Sequence, residues 1–421
     1  MKILVVGSGG REHAIVWKIA QSPKAEKIYC APGNAGIAQI AECVPIAATN
    51  IEALVAFAQE KEIDLTVVGM DDPLMLGIVD AFEAAGLRVF GPRKAAAELE
   101  GSKVFSKDLM QRYGIPTAKA WTFENAEEAK AFFETYDRYP VVLKADGLAL
   151  GKGVLICQNH EEVLDGINEI MVDKKFGAAG VKMLVEEFLE GHEVSVLSFC
   201  DGKTIRTMVS AQDHKRALDG DQGLNTGGMG TFAPTPYYTE EYQKTAAEQI
   251  FQKTVDAMNA EGRTFKGIIF FGLMLTKEGP KVLEYNARFG DPETQVVLPL
   301  LESDLVDIFE ACIDGKLDEM DIQWKNGAAV CIVLASGGYP VSYGKGYPIH
   351  GLNAFDGRED MMIFHAGTAL NEGGTYVTNG GRVLGIVALD DTLEAAIQKG
   401  YENIDAVTFE KVHYRHDIGR K

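Results

Sequence analysis

Residues 282–295 read V-L-E-Y-N-A-R-F-G-D-P-E-T-Q, from Val282 to Gln295. The stretch begins as a strand, in which side chains two apart point to the same side. Glu284 and Asn286 therefore present two oxygen ligands to one spot, with Arg288 next on that face and Asp291 in the turn that follows. A carboxylate, an amide oxygen and a guanidinium gathered in this way suit a Mg²⁺-bound polyphosphate such as ATP. Hard oxygens serve the metal, and a planar fork serves a phosphoryl group.

Working outward, alternating and apolar runs over Met183–Cys200 and Gly267–Tyr285 predict a larger, mainly antiparallel sheet. Upstream, Val141-Val142-Leu143-Lys144, a loop with Gly147, Gly151 and Gly153, and Val154–Cys157 read as a hairpin. This is not the strand-to-helix turn of a P-loop. Nearer the start, short apolar runs (Ile3–Val6, Lys27–Cys30, Leu65–Val68, Leu87–Phe90) alternate with helical patterns (Glu12–Ala20, Ile51–Gln59, Pro73–Ala84). That rhythm predicts βαβ units around a parallel sheet. It breaks near Gly91-Pro92, and a helix follows over 103–113. After Trp324 a separate tail domain opens with a strand at Ala328–Ala335 and glycine-rich turns.

The 421 residues are 46% hydrophobic and 24% charged, ordinary for a globular chain of two to four domains. A formal charge of −20 argues against a broad nucleic-acid or anionic-membrane surface, so any phosphate site must concentrate positive charge locally. The six cysteines never fall at C-x-x-C spacing and read as buried, reduced thiols of a cytoplasmic protein. M-K-I-L-V-V-G at the start reads as a core strand rather than a signal peptide. No apolar run reaches the ~18 residues of a membrane span.

Other motifs carry chemistry, each with a plainer alternative. Gly7-Ser8-Gly9-Gly10-Arg11-Glu12-His13 follows the first strand and opens a helix, where amides and the helix dipole bind phosphate. A dinucleotide site is disfavoured: position 12 is Glu, and the second strand ends in Ala31-Pro32-Gly33-Asn34 with no acid for a ribose. A mononucleotide-sized phosphate fits better, with a bare tight turn as the alternative. In Leu143-Lys144-Ala145-Asp146 with Gly147–Gly153 and Lys152, a flap can close over a triphosphate while Lys144 reaches in from the strand; a solvated surface hairpin is the alternative. Val185–Glu193 offers backbone groups to an adenine edge and a carboxylate to ribose hydroxyls, or is a charged strand end. Gln212–Arg216, Asp219–Asp221 and Asn225–Gly230 set cations beside a Gly-rich turn, suited to a small zwitterion, or form a long solvent loop. His214 is a general base or a structural hydrogen-bonder.

In order and spacing these motifs resemble, along essentially the whole chain, the phosphoribosylamine–glycine ligase (glycinamide ribonucleotide synthetase) family of the ATP-grasp superfamily. The likeness rests on G-G-R-E-H at Gly9–His13, P-G-N-A-G at Pro32–Gly36 and D-G-L-A-x-G-K-G-V at Asp146–Val154. It continues with E-E-F-L-x-G-x-E at Glu186–Glu193, Q-D-H-K-R at Gln212–Arg216, N-T-G-G-M-G at Asn225–Gly230 and R-F-G-D-P-E-T-Q at Arg288–Gln295. Q-D-H-K-R and R-F-G-D-P-E-T-Q are distinctive of the family rather than of ATP-grasp enzymes at large.

The resemblance implies a multidomain α/β and α+β fold. A Rossmann-like, pre-ATP-grasp domain would span 1–101 and bind phosphoribosylamine. An ATP-grasp region would span 102–324, with a flap subdomain at about 121–190, and a mixed α/β domain would span 325–421. The implied reaction joins glycine to 5-phosphoribosylamine with ATP through glycyl phosphate, giving glycinamide ribonucleotide, ADP and phosphate, the second step of purine synthesis. By the same resemblance Lys103, Lys144, Gly151, Lys152 and Gly153 contact ATP phosphates, Glu186, Glu187, Phe188 and Leu189 hold the adenine, and Glu193 takes the ribose. Glu284 and Asn286 bind Mg²⁺ or Mn²⁺. Arg288, Lys144 and Asp213 are the catalytic candidates, with Arg288 facing the phosphoryl charge. Asp213, Lys215, Thr226, Gly228, Met229 and Gly230 surround glycine. Gly9, Gly10, Arg11, Gly33, Asn34, Asp71 and Arg288 receive phosphoribosylamine. The resemblance implies a monomer, with a dimer as the alternative.

Three departures stand out. Gly69-Met70-Asp71-Asp72-Pro73-Leu74 replaces the family's G-P-E-A-P-L, so Asp71 is one methylene short for a ribosyl contact. Leu224 replaces a Pro ahead of N-T-G-G-M-G. Gly272-Leu273-Met274 supplies no acid on the preceding strand, so a metal must lean on ATP oxygens and water.

Overall fold

The computed structural model describes residues 1–147 and 153–420. The N-terminal sheet has five parallel strands in the order Glu42–Cys43, Lys27–Pro32, Lys2–Gly7, Leu65–Val68, Val89–Phe90. Its central strands bury every residue of Ile3–Val6 and Leu65–Val68, as expected of a parallel sheet covered on both faces. The helix expected over 73–84 is two helices, Asp71–Leu76 and Ile78–Ala84. Gly77 sits between them at φ 92 and ends the first by a left-handed cap. The strand expected over 87–90 is confined to Val89–Phe90.

The middle of the chain forms two antiparallel sheets. The smaller, ordered Ala120–Phe123, Met183–Glu187, Val141–Ala145, Val154–Cys157, packs on its own core around Phe133, Leu143, Val163 and Val185. The larger runs Ile205–Thr207, His192–Asp201, Lys266–Thr276, Gly279–Asn286.

Within the last strand the ladder slips by one residue. Glu284 pairs with Gly272 and Val282 with Leu273, leaving Leu283 as an unpaired bulge. The bulge inverts side-chain parity. Val282 and Tyr285 both enter the core, while Glu284 and Asn286 both stay partly exposed. With strict alternation, burying Val282 would have buried Glu284 too.

The final sheet is ordered Gln212–Asp213, Gly230–Ala233, Ala328–Ser336, Arg382–Asp390, Met361–His365, and Val412–His413 also pairs with Ala328–Ser336. Its first two strands come from the middle of the chain, so the sheet straddles position 325. Cores are continuous across the domain seams. One joins Leu4, Leu74 and Phe82 to Val194, Phe271 and Tyr285; another joins Ile3 and Val67 to Phe289, Leu300, Cys331 and Phe364. Among the described residues no helix is long and apolar enough to cross a membrane.

Gly36 marks one such seam. A Cβ there would lie 2.2 Å from the His365 ring, which is 4% exposed and cannot swing away. Gly36→Ala is expected to lower unfolding free energy by about 1–3 kcal/mol in urea titration, the usual cost of overpacking; unchanged stability would contradict the packing described.

Candidate active site

The end of the strand Gly279–Asn286 gathers charge from several parts of the chain. Lys215 Nζ lies 2.6 Å from Glu193 Oε1 and 3.4 Å from Glu284 Oε1, so it spans two of the expected nucleotide ligands. Lys215 chiefly, with Lys144 and Lys103, holds the Glu284 carboxyl down to about 2 against the effect of burial.

Lys144 reaches across from its hairpin strand. Its Nζ donates to the carbonyl of the bulge residue Leu283 at 3.1 Å and pairs with Glu186 Oε2 at 2.7 Å. Glu186 Oε1 pairs with Lys107 at 2.9 Å, and Lys107 also donates to Thr117 Oγ1. Burial works to raise the Glu186 carboxyl, but Lys144 and Lys107 outweigh it and keep the group below its ordinary value. Lys103 donates to the carbonyl of Gly147 at 2.6 Å. Burial lowers its pKa. Glu187 accepts the Lys119 amide, Leu189 is buried and Phe188 is exposed. Gly151 and Lys152 lie outside the described residues.

Arg288 lies beyond the end of the strand, and it is tethered by acids rather than by strand alternation. NH2 meets Glu100 Oε1 at 2.9 Å and Asp71 Oδ2 at 3.4 Å. Its Nε is buried without a protein partner, a donor left for something else. Burial raises the Asp71 carboxyl, but Arg288 and Arg11 prevail and set it below its ordinary value.

The Gly-rich turn is built by short hydrogen bonds. Thr226 Oγ1 donates to the Lys215 carbonyl at 2.9 Å and accepts the Gly228 amide at 3.0 Å; the Met229 amide donates to the His214 carbonyl. Gly228 adopts φ 119, and a Cβ there would lie 2.7 Å from Asp213 Oδ1 and 2.5 Å from Pro292. Only glycine fits. Burial first, then Glu293, pushes the Asp213 carboxyl well above its ordinary value, and burial raises Glu293 as well. Arg382, from the last sheet, fastens this turn to its neighbours. Its NH1 donates to the carbonyls of Gly227 at 2.8 Å and Asp291 at 3.0 Å, while NH2 pairs with Asp291 Oδ1 at 3.3 Å.

Asp291 in turn accepts the Arg11 amide at 3.4 Å on Oδ2, which places the N-terminal glycine turn against the same cluster. Glu12 explains why this turn departs from a dinucleotide fingerprint. Its carboxylate accepts the Gly9 amide and Arg11 Nε, both at 2.7 Å, and fills the space beside Gly7 and Gly69. Asn34 is a joint. Nδ2 donates to the Ser8 and His365 carbonyls, and Oδ1 accepts the Gly36 and Ile37 amides. Gly33 lies against Cys43 at φ 70.

Comparison with known proteins places this geometry. The phosphoribosylglycinamide synthetase domains match in order: the N domain over residues 1–100, the ATP-grasp (A) domain over 101–294 and the C domain over 329–421. The chain belongs to the phosphoribosylglycinamide synthetase family. A phosphoribosylamine–glycine ligase of Halalkalibacterium halodurans is 50% identical over 421 residues, covering 100% of this chain and 97% of that protein. A bifunctional purine biosynthetic protein of Schizosaccharomyces pombe is 49% identical over 99% of this chain and 53% of its own length. The crystal structure of phosphoribosylamine–glycine ligase from Thermotoga maritima superposes with a TM-score of 0.86 at 34% identity, covering 99% of this chain and 100% of that one.

The ATP-grasp domain of this family uses ATP with a divalent metal ion, and the residues present fit one. Glu284 is held ionised, and Asn286 commits Nδ2 to Glu100, which leaves its amide oxygen available. Among the described residues no group of three or more His, Cys, Asp or Glu side chains forms a metal cage, so most of the coordination shell must come from elsewhere.

Glu100, Lys107, Glu293 and Arg382 escaped the sequence reading. Two of them had left a signal. Glu100 follows Ala96 by four residues on a helix, and Lys107 precedes Met110 by three, so both put a charge on an apolar stripe. Arg382 had none, since its partners are carbonyls 91 to 155 residues away.

Removing the Glu186 charge tests the lysine cluster. Glu186→Gln should cost about 3–5 kcal/mol at neutral pH, the range for breaking a buried ion pair. Because its folded pKa lies below the ordinary 4.5, the contribution is present above that value and lost as pH falls through the folded one. Denaturant titrations should therefore show the gap between wild type and Glu186→Gln closing on acidification; a constant gap would contradict the assignment.

Proposed function

We propose that this chain ligates glycine to 5-phosphoribosylamine at the expense of ATP, releasing ADP and phosphate. The observation that carries the reading is the convergence of Glu284, Asn286, Lys144, Lys215 and Arg288 at one strand end. It occurs in a chain matched throughout by the phosphoribosylglycinamide synthetase domains.

A carboxylate is a poor acyl donor, because oxide would have to leave. Transfer of the γ-phosphoryl group to glycine gives glycyl phosphate, and the ribosylamine nitrogen then attacks its carbonyl as phosphate departs. No protein nucleophile is required. The protein has to align the partners, neutralise oxyanions and exclude water.

Each task has residues suited to it. Lys103 and Lys144 bind the triphosphate, the 186–189 backbone holds the adenine and Glu193 takes the ribose. Glu284 and Asn286 hold Mg²⁺ or Mn²⁺, which when bound neutralises phosphate charge. Arg288 faces the transferring phosphoryl group with its unpartnered Nε. Asp213 takes the glycine ammonium, and Lys215, beside the 226–230 turn, takes its carboxylate. Phosphoribosylamine lies along Gly9–Arg11, Gly33-Asn34 and Asp71. The 1–101, 102–324 and 325–421 divisions serve as working domains, the protomer as the working unit and the cytoplasm as the compartment.

Purified protein with Mg-ATP should release ADP only when glycine and freshly generated phosphoribosylamine are both present. Turnover without either, or another amino acid preferred to glycine, would overturn the reading. Glu284→Ala should lower kcat by a factor of 100 or more, roughly 2.7 kcal/mol of lost transition-state stabilisation, with the fold intact by circular dichroism. Full residual activity would remove the metal assignment.

A further inference from the structure

Glu100 lies in the last turn of the helix Lys94–Gly101, outside every motif that carries the family resemblance. Its side chain is 4% exposed. It accepts from three successive residues at the strand end: Asn286 Nδ2 at 3.0 Å and Arg288 NH2 at 2.9 Å on Oε1, and the Ala287 amide at 2.7 Å on Oε2. One carboxylate thus fixes an expected metal ligand, an expected phosphoryl ligand and the backbone between them.

The chemistry of the acceptor decides an orientation. An Asn amide is nearly symmetric in shape, and its oxygen and nitrogen can exchange places by a half-turn. With Oε2 receiving the Ala287 amide and Oε1 receiving Arg288 NH2, both oxygens of Glu100 act as acceptors, which selects the rotamer with the Asn286 nitrogen toward Glu100 and its oxygen away. A glutamine in its place would present both a donor and an acceptor and would tolerate either rotamer. The Ala287 amide, bound to the second oxygen, keeps the carboxylate plane from turning.

We propose that Glu100 is a positioning residue of the metal–nucleotide site, holding Asn286 with its oxygen toward the cation and Arg288 with its guanidinium toward the transferring phosphoryl group. The inference rests on reading Glu284 and Asn286 as the metal ligands. Groups that orient a first ligand shell in this way typically contribute 10- to 100-fold to metal affinity.

Calorimetric titration of ADP into the full chain, with and without Mg²⁺, tests the proposal in wild type, Glu100→Gln, Glu100→Asp and Glu284→Ala. Glu100→Gln should leave metal-free ADP binding unchanged and weaken metal-supported ADP binding by about 10- to 100-fold. Glu100→Asp, which keeps two acceptors one methylene further away, should recover part of that loss. A Glu100→Gln protein with the wild-type Mg²⁺ gain, beside a Glu284→Ala protein that has lost it, would overturn the proposal alone. If Glu284→Ala also keeps the gain, the metal-strand reading fails and takes the proposal with it. Should Glu100→Gln lose metal-free binding through misfolding, Glu100→Asp decides instead: a reduced Mg²⁺ gain supports the proposal, and an undiminished one overturns it.

Discussion

A strand at the edge of a core has to divide its side chains between packing and chemistry, and in the strand Gly279–Asn286 one unpaired residue makes the division. The bulge at Leu283 lets Val282 and Tyr285 both pack inward while Glu284 and Asn286 both face out. It also frees the Leu283 carbonyl, which receives Lys144. Bulges of this kind re-aim side chains next to functional sites. The outward pairing of Glu284 and Asn286, the core beneath them and the lysine above them all follow from that slip.

Around the strand, four cations are each set by acids from other segments. Lys144 is set by Glu186, Lys215 by Glu193 and Glu284, Arg288 by Glu100 and Asp71, and Arg382 by Asp291. Burying isolated charges would be costly, and pairing them fixes their heads in place. The arrangement lets an acidic chain keep several cations together at one strand end. It also gives the last sheet a share in the site, because Arg382 fastens the Gly227 turn and the Asp291 turn together.

Much of this was legible in the sequence where local rules apply. Apolar runs located the parallel strands, and the E-x-N spacing anticipated that Glu284 and Asn286 share a face. The order of motifs identified the family. What was not legible depended on contacts far apart in the chain. No local pattern marks Leu283 as a bulge, and Arg288 was assigned to the strand face although Glu100 and Asp71 are what hold it. Gly77 broke a helix that periodicity alone had joined. Gln212–Asp213 and Gly230–Ala233, in a stretch read as a ligand turn or a long loop, are strands that complete the last sheet, since β pairing depends on edges that only the folded chain presents. Asn34, read as a ligand by motif, and Glu12, read only as a departure from a dinucleotide fingerprint, are largely engaged in holding backbone.

The central claim is that Glu284 and Asn286, set by the bulge, form the protein's share of a metal–nucleotide site. A crystal structure of the chain with Mg²⁺, ADP and glycine tests it most directly. The account predicts an ion about 2.0–2.1 Å from a Glu284 carboxylate oxygen and from the Asn286 amide oxygen, with ADP phosphates and water completing its shell. An ion bound without either residue, or Asn286 turned with its nitrogen toward the nucleotide, would contradict it.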